Sequence, residues 1–364
     1  MSGAPPDADG IRFERRGRLG VVVLDQPHML NALTYPMVTV LGRALAHWHE
    51  DDAIGALLIE GAGDRAFCAG GDIRRVYEMR QKREPGITDF FRDEYRMNWR
   101  VGHFPKPCIA LMDGITMGGG VGIAAPCAFR VATERTVFAM PETGIGLFPD
   151  VGGSFHLSRL PGALGAYLGL TGARLGPADC LEAGIVTAFL PSARLPDLTE
   201  ALERAELGND AGVEIDALLR DFAEPAGAGE LAPRRALIDG VFACGSVEAI
   251  LDALAGGSSG WGETTRAELA TKSPTSLKVT HVQLRRGADL DFAGGLRQEF
   301  RLVNRFMAGH DFFEGVRALL IDKDRSPRWQ PPDLASVGEA DVAAYFAPLP
   351  GGDLVFDWHE GGEA

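Results

Sequence analysis

The sequence predicts an α/β fold: a largely parallel sheet covered by helices, followed by a helical C-terminal region. Three observations carry this. Strand, glycine turn and helix repeat in that order from 54 to 190. The strands are nearly continuous apolar runs, as in sheets buried on both faces. From 269 to 325 the apolar residues recur at helical spacing.

Residues 11–25 read as two strands, IRFERRG and LGVVVLD, joined by a turn at Gly17 to Gly20. Residues 34–50 read as a helix with Thr34 as N-cap, its hydroxyl satisfying an N–H that no helical carbonyl reaches. IGALLIEG (54–61) is an apolar strand ending on glycine. AFCAGGD (66–72) leads into a helix beginning near Asp72, and 89–101 reads as helical. PCIALMDG (107–114) is a strand, and the glycine-rich GITMGGGVG (114–122) turns into a helix. RVATE and TVFAM are short strands. Helices are expected near 152–160, 163–170 and 177–183, and a strand at 185–190. The Gly-, Ala- and acid-rich stretch 206–233 reads as a loose connection, and 326–364 as a partly extended tail. The expected division is a core bearing the site (11–200), a helical connection (201–268), a C-terminal helical region packing on the core or a neighbouring subunit (269–335), and a tail (336–364).

Composition narrows the partners. The 364 residues carry a formal charge of −14, from 36 basic and 50 acidic residues, with 46% hydrophobic content. That balance argues against nucleic acid, which requires basic stripes. The apolar stretch 107–129 contains Asp113 and five glycines and makes a poor membrane span. Five irregularly spaced cysteines without a CxxC pair read as reduced thiols. With no secretion or transit signal in MSGAPPDADG, the expected location is cytoplasmic.

The chemistry concentrates at Glu142 and Asp150, eight positions apart in FAMPETGIGLFPDVGGSFH. A strand ends at Pro141, Gly144, Gly146 and Pro149 impose a turn, and Asp150 opens the next element. Two carboxylates can thus face one space, and the upstream glycine turns can aim N–H groups into it. Acyl transfer needs such a set: a nucleophile or base, and an oxyanion hole. Competing readings are an N-cap for Asp150, a first-turn position for Glu142, and a solvated face for Glu94 with Asp93 and Arg96 paired. Cys68 reads as a small buried hydrophobe. His47 and His49 read as solvated surface rather than metal ligands, GGGVG lacks dinucleotide-loop spacing, and GGSFH is no nucleophile elbow.

AFCAGGDI, GITMGGGVG and FAMPETGIGLFPDVGG, with SPTSLKVT (273–280) and GHDFFEGVRALLIDKDRSPRW (309–329), resemble the crotonase (enoyl-CoA hydratase/isomerase) superfamily. More narrowly they resemble its 3-hydroxyisobutyryl-CoA hydrolase subgroup, in matching order from about 11 to 335. The resemblance implies a crotonase fold of repeated ββα units and an acyl-CoA substrate. It implies an oxyanion hole from the N–H groups of Gly71 and Gly119. Glu142 would be nucleophile or general base. Asp150 would orient a substrate hydroxyl or assist water and the leaving group, and Glu94 would contact substrate. Hydratases of the superfamily carry a glutamate two residues after the GGG run, where this chain has Gly122, and a small residue where it has Asp150. The expected activity is therefore hydrolysis of a short 3-hydroxyacyl-CoA, as in valine breakdown. Alternatives are an enoyl-CoA hydratase or isomerase, or a non-catalytic acyl-CoA-binding protein. No metal or redox cofactor is implied, and a homo-oligomer, trimer or hexamer, is expected. Lys272, Lys278, Arg317 and Lys323 are basic residues within reach of CoA phosphates in principle, with exposed solvation the commoner fate.

Overall fold

The computed structural model describes residues 8–256 and 260–358. Its strands are β1 (Ile11–Arg16), β2 (Leu19–Leu24), β3 (Ala56–Gly61), β4 (Ala66–Cys68), β5 (Cys108–Met112), β6 (Ile115–Met117), β7 (Phe129–Ala132), β8 (Val137–Ala139) and β9 (Ala188–Phe189). Six form one sheet in the order β1-β2-β3-β5-β7-β9, and β4-β6-β8 form a second. Among the described strands, β1 and β2 pair antiparallel and the other strand pairs are parallel.

The repeating unit has two strands, one for each sheet: β3 with β4, β5 with β6, β7 with β8. A helix follows each pair, at Ile73–Lys82, Gly119–Ala124 and Gly153–His156. Residue-by-residue reading merged β4 and β6 into the glycine turns, because three residues are too few to display alternation.

The large sheet is buried on both faces. Val22, Leu24, Leu57 and Ile59 pack with Leu41, Leu45 and Trp48 of the helix Tyr35–His49. Val21, Val23 and Leu58 pack on the other side with Leu198, Leu202, Ile215 and Leu219. Ile215 and Leu219 lie on the helix Ala211–Phe222, in the stretch expected to be loose. The i, i+4 spacing of Ala211, Ile215 and Leu219 was legible there but diluted by Gly, Ala and acids. The strand expected at 185–190 shortens to β9, because the N–H groups of Ile185 and Val186 donate to Cys180 O at 2.9 and 3.2 Å and close the preceding helix.

The expected cap at Thr34 is present, and Asp72, near which a helix was expected to begin, caps it. Thr34 Oγ1 accepts from Met37 N at 3.4 Å, and Asp72 Oδ1 from Arg75 N at 3.1 Å. The helix Phe292–Ala308 returns to pack against the helix Ile87–Gly102. The tail is largely anchored: Val342, Phe346 and Leu354 are buried, and Phe356 stacks on Trp99 with centroids 5.5 Å apart. Arg96 and Arg100 donate to the tail carbonyls of Val355 and Asp357, each at 3.2 Å. Among the described residues no helix is long and apolar enough to cross a membrane.

Candidate active site

Three carboxylates far apart in sequence are buried together: Glu94 at 2% exposure, Glu142 and Asp150 at 5% each. Each arrives from a different local structure. Glu142 opens the 3-10 turn Glu142–Ile145 directly after β8. Leu147 N donates to Glu142 O at 3.0 Å, and Gly146 sits at φ +70° against Asp311, where a Cβ would come within 2.3 Å of the Asp311 carbonyl oxygen. Glu94 lies on the inner face of the helix Ile87–Gly102. The expected Asp93–Arg96 ion pair forms on the same helix at 3.5 Å, but Glu94 has no part in that solvated face. Asp150 does not cap a helix: the following helix has Gly152 as its N-cap, with no side-chain bond.

Asp150 Oδ2 instead accepts from Tyr95 Oη at 2.7 Å. Burial pushes the Asp150 carboxyl up to about 6, and the Tyr95 hydroxyl and its own backbone N–H hold it down in part. Burial also holds Glu142 well above the usual carboxylate range, with the charges of Asp150 and Glu299 adding to the effect. Glu94 is raised by burial and then by Asp150. Glu142 Oε2 and Glu94 Oε1 have no hydrogen-bond partner among the described residues. A buried polar atom left so is costly in a structural role and is common where a substrate atom belongs.

The two glycine turns border the same space. A Cβ on Gly119 would lie 2.6 Å from Glu94 Oε1 and 3.3 Å from Gly71 N. One on Gly70 would lie 3.7 Å from Gly119 N, and one on Gly118 3.3 Å from Glu142 Oε1. Neither Gly71 N nor Gly119 N donates to a backbone carbonyl among the described residues. Gly118, at φ +49°, makes the reversal that brings Gly119 into place.

Tyr95, Gln283 and Glu299 also shape this site and were not singled out in the sequence. Glu299, fully buried, accepts from Gly152 N and Ser154 N, both at 2.8 Å. Burial pushes its carboxyl up to about 8 against the pull of those two donors. One signal was available: Glu299 falls on the apolar stripe of Leu296, Val303 and Phe306, where an unpaired acid is out of place. Cys68 is buried, its thiol pushed up to about 12 by burial, which suits a packing role.

The model of the enoyl-CoA hydratase/isomerase family matches residues 19–346. The chain belongs to this family. It is 43% identical over 349 residues to the 3-hydroxyisobutyryl-CoA hydrolase, mitochondrial, of Danio rerio, covering 94% of this chain and 91% of the relative. The Homo sapiens protein of the same name is 42% identical over 359 residues, 98% and 93% of the two chains. Among solved structures, a carnitinyl-CoA dehydratase from Mycobacterium thermoresistibile matches with a TM-score of 0.89 at 38% identity, covering 98% of this chain and all of that one. An enoyl-CoA hydratase from Rhodobacter sphaeroides matches at 0.86 and 39%, covering 95% and 100%. The crotonase fold implied by the sequence is thereby shown.

One expectation is corrected. The curated relatives are named mitochondrial, against a cytoplasmic location. Reduced thiols separate reducing from oxidising compartments and do not distinguish these two.

Within the family, Gly122 is the departure from the hydratases. A Cβ there would lie 2.5 Å from Val151 Cβ and 2.9 Å from Asn98 Nδ2, so the space of a second glutamate is filled. Three of the four basic residues, Lys272, Lys278 and Arg317, are committed locally. Lys272 pairs with Glu268, and Lys278 with Glu248 at 2.6 Å. Arg317 pairs with Glu314, Asp322 and Asp324. His49 stacks on Trp358 with centroids 4.1 Å apart, away from any solvated role. The open cleft lined by Arg16, Glu60, Asp113, Arg135 and Glu203 includes none of the three carboxylates, and its charges pair internally.

Proposed function

We propose that the protein hydrolyses the thioester of a short 3-hydroxyacyl-CoA, 3-hydroxyisobutyryl-CoA foremost, yielding CoA and the free hydroxy acid. The observation that carries this is Glu142: buried, with one oxygen unpartnered, beside the Gly118–Gly119 turn. The names of the curated relatives support the same reading.

In this reading the thioester oxygen lies against the N–H groups of Gly71 and Gly119, where negative charge develops as the carbonyl carbon becomes tetrahedral. Glu142 either attacks that carbon, forming an anhydride that water opens, or takes a proton from the attacking water. Its poorly solvated position raises its basicity for both. Asp150, oriented by Tyr95, meets the substrate hydroxyl or assists the departing thiolate. Glu94 Oε1 borders the same space and contacts the acyl group. These groups suffice for water to cleave the C–S bond, so no metal or redox cofactor is required, and a chelator is expected to leave the rate unchanged. The trimer or hexamer expected from the family is read by light scattering.

The hydratase reading fails on Gly122, where neither an acid nor room for one exists. A purely binding role has no need of the two buried carboxylates Glu142 and Asp150 beside the thioester.

The test offers purified protein 3-hydroxyisobutyryl-CoA and, separately, crotonyl-CoA. Thiol release from the hydroxyacyl ester is expected. Loss of enoyl absorbance without thiol release would overturn the reading. Glu142→Gln should fold normally and lose about 10²–10⁴-fold in kcat; full retained activity would remove Glu142 from the mechanism.

A further inference from the structure

We propose that Glu299 is a positioning residue that clamps the strained turn carrying Asp150 and so sets the aim of that carboxylate. This rests on the thioesterase reading for its effect on rate, but not for the clamp itself.

The turn is held in a conformation its sequence disfavours. Val151 sits at φ +52° and Gly152 at φ +95°. A β-branched residue in the left-handed region is a true outlier, and such strain persists only where the surroundings over-determine it. Here they do. Glu299 Oε2 accepts from Gly152 N and Oε1 from Ser154 N, both at 2.8 Å. Gln283 Nε2 donates to Pro149 O at 2.6 Å and to Ser154 Oγ at 2.9 Å, while Gln298 Nε2 reaches the same Oγ at 3.2 Å. The backbone is therefore gripped on both sides of Val151 by side chains from two C-terminal helices, Pro274–Gly287 and Phe292–Ala308.

The grip has two consequences. Asp150 is turned toward Tyr95, and Val151 is turned into the space beside Gly122. Were Val151 to relax to negative φ, the Asp150 side chain would swing off Tyr95. Packing alone does not call for Glu299: its neighbours on the stripe, Leu296 and Val303, are apolar, and a buried acid is costly there. Its two N–H partners explain its presence.

The experiment uses the full chain and the near-isosteric Glu299→Gln. Its amide nitrogen would face one of the two N–H donors, which breaks half of the clamp. Three quantities are read: thermal unfolding, hydrogen exchange of the Gly152 and Ser154 amides, and kcat against KM for thiol release from 3-hydroxyisobutyryl-CoA. Expected are a folded protein, faster exchange at both amides, and kcat lower by about 10–100-fold with KM little changed. A folded variant with faster exchange and unchanged kcat overturns the positioning role. Unchanged exchange overturns the clamp. If Glu299→Gln does not fold, Glu299→Asp, which keeps the acid but draws it back from the Gly152 and Ser154 amides, is read the same way against the same outcomes. Wild-type protein that releases no thiol sinks the thioesterase reading alone, and the clamp is then decided by amide exchange.

Discussion

At the scale of single residues, burial raises the Asp150 carboxyl and the Tyr95 hydroxyl opposes that rise. The hydroxyl donates at 2.7 Å, and a donor to the charged form lowers a carboxyl pKa. In Tyr95→Phe the Asp150 carboxyl should titrate above its present value of about 6. The sign follows: if Asp150 acts ionised, the acid limb of kcat/KM moves to higher pH, as a pH–rate profile of the variant would show. An unmoved limb would mean that Asp150 does not act as an anion. Gly122→Glu is expected to give no hydratase activity and to cost about 1–3 kcal/mol, since the added side chain meets Val151 and Asn98. Denaturant unfolding and enoyl absorbance check this. Glu142 and Asp150 were legible from the chain, because a glycine-rich turn brackets both. Tyr95 was not: beside Glu94 on one helix, it gave no sign that a carboxylate 55 positions on would be its partner.

At the scale of elements, one strand-end turn and two helices gather four buried acids. Glu94, Glu142, Asp150 and Glu299 are all raised above their ordinary values, by burial first. The folded protein therefore holds protons that the unfolded chain releases. Their contribution to stability is fully present below the unfolded values and is lost as pH rises through the folded ones, about 6 for Asp150 and about 8 for Glu299. Lowering the pH from about 8.5 to about 6 should raise the melting temperature, and Glu299→Gln should flatten the upper part of that rise. A melting temperature that falls over this window would show the cluster to be ionised throughout. The helices and longer strands were visible in the sequence, Thr34 and Asp72 marking two starts. The short strands β4 and β6 were not, and they are what place Gly71 and Gly119 at the site.

At the scale of the whole molecule, the C-terminal segments complete the core. Phe346 is 5% exposed, with the Arg286 guanidinium 4.3 Å from its ring centroid. Phe346→Ala should destabilise by about 3–5 kcal/mol in denaturant unfolding. A loss below about 1 kcal/mol would mean that the tail packs more loosely than its burial implies.

The sequence by itself determined the α/β class, most helices, the glycine turns and the Glu142–Asp150 pair. These are short-range properties, because periodicity, capping and turn chemistry depend on residues within a few positions of one another. The tertiary structure alone decided the burial of Glu94, the Tyr95 partner of Asp150, the filled space beside Gly122 and the grip of Glu299 on the 150–154 turn. Each depends on side chains from elements distant in sequence, and desolvation exists only once those elements have packed around the group.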